Sequence, residues 1–177
     1  MTLGEQYTNS EDVMLILMRG WQGSGKSTYA KKIKSAFSHG VIYSTDEYWL
    51  RDGSYCFDED KLEIAHKWNY ERTRERAFAF PDDAIIIDNT NILLVHMQPY
   101  VDIAYESGHI VVQALPGDVE LVLTLMASEK SEDRDFAEAM VRFHASRNLH
   151  NVPEEAVLGA ARNFQVSALS IYAHSFV

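Results

Sequence analysis

Residues Gly20-Trp21-Gln22-Gly23-Ser24-Gly25-Lys26-Ser27 spell G-x-x-x-x-G-K-[ST], with Thr28 following. The context suits the motif: an apolar run, residues 13–18, leads in, and a helix-compatible run, residues 27–37, leads out. Glycines let the backbone curl so that several N–H groups point inward, and the next helix turns its positive end to the same place. An anion of several phosphates is the natural occupant, with Lys26 reaching the β- and γ-phosphates and the Ser27 hydroxyl ligating Mg²⁺. The alternative is a purely structural glycine loop. The strand–loop–helix order predicts a nucleoside-triphosphate site, ATP foremost, built on Gly20, Gln22, Gly23, Ser24, Gly25, Lys26, Ser27 and Thr28.

Apolar runs alternate with helical patterns along the rest of the chain, the signature of βαβ units around a parallel sheet. Strands are expected at 13–18, 41–44, 84–87 and 109–115, and helices at 27–37, 58–78, 95–107, 119–128 and 136–146, with a last one starting at Pro153. Residues 45–57 read as a loop turning at Asp52-Gly53. The charged stretch 129–135 reads as a solvated turn. The fold class is α/β, a three-layer P-loop NTPase with about four parallel strands and a helical lid. Residues 1–12 read as a polar tail and 13–177 as one domain, with the lid near 129–152. That suits a chain of 177 residues.

In such a sheet, ligands bind beyond the C-terminal strand ends. Three polar tips converge there: the phosphate loop, Thr45-Asp46-Glu47, and Asp88-Asn89-Thr90-Asn91. Asp46 has the chemistry to accept the proton of an attacking hydroxyl; a turn cap is the alternative. Asp88, after Ile85-Ile86-Ile87, fits the apolar-then-Asp pattern that holds Mg²⁺. Asn89 and Asn91 either position the reacting groups or satisfy their own loop. Helix 58–78 carries His66, Asn69 and Thr73 at helical spacing, with Arg72 and Arg76 beside them, a stripe facing either an acceptor or solvent. Phosphoryl transfer also calls for an arginine near the γ-phosphate, and Arg134, Arg142 and Arg147 are the candidates.

The net charge of −10 argues against binding long stretches of duplex but leaves room for a narrow slot that grips one strand end. The one cysteine, Cys56, excludes an internal disulfide and suits a reducing compartment. No apolar run reaches the roughly 18–20 residues of a membrane span. A cytoplasmic protein without membrane contact is expected.

Four segments together resemble the family of P-loop kinases that includes bacteriophage polynucleotide 5′-kinase and the kinase domain of Nedd-four binding proteins. They are the 20–28 loop, Ser44-Thr45-Asp46-Glu47-Tyr48, Ile86-Ile87-Asp88-Asn89-Thr90-Asn91, and Arg147-Asn148-Leu149-His150-Asn151-Val152-Pro153. The resemblance implies transfer of the γ-phosphate of ATP to a polynucleotide 5′-hydroxyl. It places Asp46 on the general base, Lys26 and Ser27 on the phosphate and Mg²⁺ contacts, and Arg147 on the lid arginine; Arg142 is a further expected ATP contact. The phage enzyme has a phosphate-binding arginine shortly after its catalytic aspartate. Here Tyr48, Trp49 and Leu50 stand in that neighbourhood, and Arg51 is the nearest substitute. Acceptor contacts are therefore expected from Arg51, Asn69, Arg72, Asn89 and Asn91. A kinase of small hydroxyl compounds, nucleosides or modified bases, and an ATP-binding module without transfer, are the competing readings.

Overall fold

The computed structural model describes residues 13–51, with residue 51 as backbone only, and residues 53–166. The expected tail at 1–12 lies outside the described residues, as does Asp52. Four strands form the central sheet: β1 (Met14–Met18), β2 (Gly40–Tyr43), β5 (Ala84–Ile87) and β6 (Ile110–Ala114). Their order is β2-β5-β1-β6, all parallel. In register, Leu15 faces Ile85 and Val111, and Ile16 faces Ile86 and Val112.

The two-residue period of a strand divides β1 between two cores. Leu15 and Leu17 join Ile85 and Ile87 beneath α2 (Leu62–Ala79) and α3 (Gln98–Ser107), against Ala77, Tyr100 and Ile103. Ile16 and Met18 face the other way, onto Ala30 and Ile33 of α1 (Lys26–Lys34). Burial on both faces explains why these strands are continuous apolar runs. A third core gathers α4 (Gly117–Met126), α5 (Ser131–Ser146) and α6 (Glu154–Arg162) around Trp21, Val119, Val141 and Leu158.

Two stretches differ from expectation. The charged run is not a turn: α5 starts at Ser131, so most of the run is helix. Glu132 and Asp133 meet the positive helix end there, and Ser128 donates to the Asp133 carboxylate. The 45–57 loop holds a 3₁₀ turn, Thr45–Trp49, and a two-stranded hairpin, β3 (Leu50–Arg51) with β4 (Ser54–Tyr55), bent through Gly53 at φ +81°.

Arg19, fully buried, ties the sheet to the third core. It donates to the carbonyls of Asn91, Ile92 and Gln165 and to the Gln113 side chain, and lies over the Phe164 ring. Burial pushes its guanidinium pKa down to about 10. No helix among the described residues is long and apolar enough to cross a membrane.

Candidate active site

The loop between β1 and α1 takes the shape its glycines permit. Gly20, Gly23 and Gly25 all have positive φ, of 143°, 75° and 90°. At Gly23 a Cβ would stand 1.8 Å from the backbone oxygen of His144, so the end of α5 lies directly against the loop. Trp21, also buried, donates from its indole to His144 Nδ1 at 3.0 Å. His144 Nε2 stands 3.6 Å from an Asp118 carboxylate oxygen. Accepting at Nδ1 requires a neutral ring, and burial, followed by Arg147, lowers the His144 pKa in the same sense, against the pull of Asp118.

Inside the loop, Lys26 is buried and its ammonium donates to the Trp21 carbonyl at 2.9 Å. Burial lowers its pKa, and Asp88 and then Asp46 act against that shift. Both carboxylates are therefore close enough to act on the lysine. Asp88 is raised chiefly by burial, opposed by a hydrogen bond from Ser27 and the charge of Lys26. Two polar atoms of the loop, Gln22 Oε1 and Ser24 Oγ, and Asp88 Oδ1 after β5 are buried without a hydrogen-bond partner. Unpaired buried acceptors are costly and rare in a finished interior.

Asp46 sits in the 3₁₀ turn that closes the tip of β2. Ser44 and Glu47 form a capping box: the Ser44 hydroxyl accepts from the Asp46 N–H, and the Glu47 carboxylate accepts from the Ser44 N–H. Asn89 accepts from the Thr45 N–H at 2.9 Å and so joins the β2 and β5 tips. Behind the turn, Arg72 donates to Glu47, to the Ser44 carbonyl and to Asn69, between the rings of Tyr43 and Trp68. The Asp46 carboxylate itself points away from this scaffold. Its Oδ1 accepts from the Tyr55 hydroxyl at 2.9 Å, and its Oδ2 lies 3.5 Å from His150 Nε2.

Over 94 residues the chain is 45% identical to NEDD4-binding protein 2 of Homo sapiens, a match covering 53% of this chain and 5% of that protein. The chain thus spans a small fraction of its relative's length. It superimposes on a chain of the Pnkp1/Rnl/Hen1 complex with a TM-score of 0.51 and 21% identity, over 70% of this chain and 42% of that one. The likeness is one of fold, an α/β architecture around a four-stranded parallel sheet. The APS kinase CysC of Mycobacterium tuberculosis, in complex with AMPPNP and APS, superimposes with a TM-score of 0.43 and 15% identity, over 59% of this chain and 62% of that one. No family model matches the sequence.

Of the residues expected from the sequence, the structure brings together Lys26, Ser27, Asp46, Asp88 and Arg147. Arg147 caps α5 and donates to the Gly23 carbonyl at 3.2 Å. Several of the other expected contacts of acceptor and ATP have protein partners. Asn69 is fully buried between Arg72 and the Tyr100 hydroxyl, and Arg72 donates to the turn that bears Asp46. Asn91, buried at φ +45°, donates to the Met18 carbonyl, so it satisfies its own loop. Asn89 reaches out of its loop, accepting from the Thr45 N–H and donating to the Tyr100 hydroxyl. Arg142 pairs with Glu154 and Glu155 of α6. The Arg51 side chain lies outside the described residues. The hydroxyl of Tyr55 and the ring of His150 at Asp46, and the Trp21–His144 bond, have no signal in the spacing of the sequence.

The donor set fits Mg²⁺. A hard cation that keeps several waters needs one carboxylate, one hydroxyl and phosphate oxygens, not a cage. Asp88 Oδ1 has no partner and Ser27 bonds the same carboxylate, while no group of three or more acidic, His or Cys residues among the described residues could hold a metal alone.

Proposed function

We propose that the chain is an ATP-dependent phosphotransferase of the polynucleotide 5′-kinase kind, its acceptor the 5′-hydroxyl of a DNA or RNA end. The carrying observation is geometric: the phosphate loop with Lys26 buried in it and the tips of β2 and β5 that bear Asp46 and Asp88 lie at one end of the sheet, with the two tips joined by the Thr45–Asn89 hydrogen bond. A phosphate cradle alone accounts for binding; a carboxylate in the cradle's field, with no role in its own turn, suits transfer.

The residues divide the work. Backbone N–H groups of 20–27 and the Lys26 ammonium take the β- and γ-phosphates, the lysine exchanging the Trp21 carbonyl for phosphate oxygen. Ser27 and Asp88 would hold Mg²⁺, which would offset phosphate charge. Asp46 accepts the proton of the acceptor hydroxyl as its oxygen bonds the γ-phosphorus and the bond to the bridging oxygen breaks, releasing ADP. Arg147, already at Gly23, turns toward the transferred group and stabilises its charge, with 129–152 serving as the lid.

The motif set, through its resemblance to polynucleotide 5′-kinases, supports the polynucleotide acceptor. The net charge of −10 favours the second reading, a kinase of nucleosides or other small hydroxyl compounds with the same machinery. Incubation with γ-labelled ATP, Mg²⁺ and 5′-hydroxyl DNA or RNA oligonucleotides, beside a nucleoside panel, separates the two. Label on an oligonucleotide end supports the proposal; label on nucleosides alone replaces it with the second reading. ATP binding with no labelled product from any acceptor leaves an ATP-binding module.

A further inference from the structure

Asp46 belongs to the turn after β2, yet the groups on its carboxylate come from elsewhere. Tyr55 belongs to the hairpin strand β4, and His150 to the segment that follows α5. The Tyr55 and His150 rings lie against each other, centroids 4.4 Å apart and planes inclined by 32°. Tyr55 fixes Oδ1 by a hydrogen bond, and His150 stands at Oδ2. Three residues before His150, the same segment places Arg147 on the Gly23 carbonyl. One short stretch therefore touches both the phosphate cradle and the carboxylate across the cleft.

We infer that Tyr55 and His150 are positioning residues that set the orientation of the Asp46 carboxylate and link it to the seating of segment 147–150 on the phosphate loop. The inference rests on Asp46 being the base. Its turn is closed by Ser44 and Glu47 and braced by Arg72, so the carboxylate has no structural task there. About half of the Asp46 side chain is exposed, and on a surface turn such a side chain samples several rotamers. A general base must instead lie within hydrogen-bond reach of one proton. Tyr55 supplies the restraint: its phenol gives a single donor, and its ring is held by His150. Burial and then Asp46 itself raise the phenol's pKa, so the hydroxyl keeps its proton and stays a donor throughout the neutral range. Engaging Oδ1 this way leaves a lone pair of Oδ2, on the side of His150, for an incoming hydroxyl. Leu149, almost wholly exposed, lies outside this arrangement although it adjoins His150.

The experiment compares wild type, Tyr55→Phe, His150→Leu, His150→Gln, Asp46→Asn and the Asp46→Asn/Tyr55→Phe pair in the full chain. The readouts are transfer from ATP to a 5′-hydroxyl oligonucleotide, acceptor-free ATP hydrolysis with Mg²⁺, KM for ATP, and Tm. Tyr55→Phe keeps the ring and removes only the donor. It is expected to lower kcat about tenfold with KM for ATP and Tm unchanged, since small misplacements of a reacting group are costly. His150→Leu should act likewise, and so should His150→Gln, which also lacks the ring that lies against Tyr55. The double variant should be no slower than Asp46→Asn, because the tyrosine works through the aspartate. Hydrolysis carries the same comparisons where the oligonucleotide is not the acceptor. Wild-type kcat in Tyr55→Phe and His150→Leu alongside a dead Asp46→Asn overturns this inference alone. Loss of kcat that follows loss of Tm overturns it as well. Wild-type rates in Asp46→Asn overturn the base assignment itself.

Discussion

Arg147 Nη2 donates to the Gly23 carbonyl at 3.2 Å, joining the C-terminal cap of α5 to the middle of the phosphate loop. Its guanidinium lies over the Phe143 ring at 4.5 Å, so the side chain is directed rather than splayed into solvent. The next two contacts are tighter: the His144 carbonyl lies where a Gly23 Cβ would be, and the His144 ring accepts from Trp21. The end of α5 is thus one wall of the nucleotide cradle.

Removing that arginine should affect turnover more than binding. Arg147→Ala is expected to lower kcat on the order of 10³-fold, the scale of an arginine that stabilises phosphoryl transfer. The Kd for ATP, read by calorimetry, should change by less than about threefold, since the loop N–H groups and Lys26 supply most of the phosphate contacts. Arg147→Lys should recover little, because an ammonium lacks the planar fork. An unchanged kcat in Arg147→Ala would remove the residue from the site.

The wall predicts a difference between two glycines. Gly23 and Gly25 both adopt positive φ, but only at Gly23 does a Cβ meet backbone atoms, while at Gly25 nothing lies within 4 Å. Alanine at either position carries about 1 kcal/mol of strain or more. Gly23→Ala must in addition push α5 away, so it should lower Tm further than Gly25→Ala. Equal Tm values would mean that the loop and α5 do not bear on each other.

His144 gives a stability signature in acid. Its pKa is lowered in the folded chain, mainly by burial, so the folded state resists the proton that the unfolded chain accepts near pH 6.5. The stabilising contribution is present above about pH 6.5 and is lost as pH falls through the lowered value. His66 and His109 are lowered in the same direction, also by burial, so wild-type stability should decline below neutrality. His144→Asn should flatten part of that decline in urea titrations at pH 8 and pH 5.5. The same pH dependence in the variant would clear His144 of the role.

How far the sequence revealed this site depends on the kind of contact. Continuous apolar strands such as Ala84–Ile87 are legible because burial on both faces leaves no room for polar residues. Lys26, Asp46 and Asp88 are legible because a parallel sheet brings its strand ends together wherever they fall in the chain. The partners of Asn69 and Arg72 are not legible, for a physical reason. Polar residues at helical spacing mark either a cleft or a buried network, and only the partners, Glu47, Ser44 and Tyr100, decide between them. Tyr55 and His150 could not be read at Asp46 at all, since their meeting depends on a hairpin and a segment 95 positions apart in the chain.

Arg72 predicts a coupled defect. Its hydrogen bonds to Glu47, Ser44 and Asn69 need a fork that lysine lacks. Arg72→Lys should cost about 2 kcal/mol, the scale of losing charged hydrogen bonds, and lower kcat with it by loosening the turn that bears Asp46. Urea unfolding measures the first effect and phosphate transfer the second. Full kcat in a destabilised Arg72→Lys would show that the turn holds its shape without the arginine.

The most direct measurement is the rate of γ-phosphate transfer in wild type and Asp46→Asn, together with the Kd for ATP of each. The asparagine keeps the size of the side chain and its bond from Tyr55 but cannot take up the acceptor's proton. A general base predicts a loss of about 10²–10⁴-fold in kcat with the Kd for ATP nearly unchanged. Transfer by Asp46→Asn at the wild-type rate would contradict the account, leaving Asp46 a surface residue beside a nucleotide cradle.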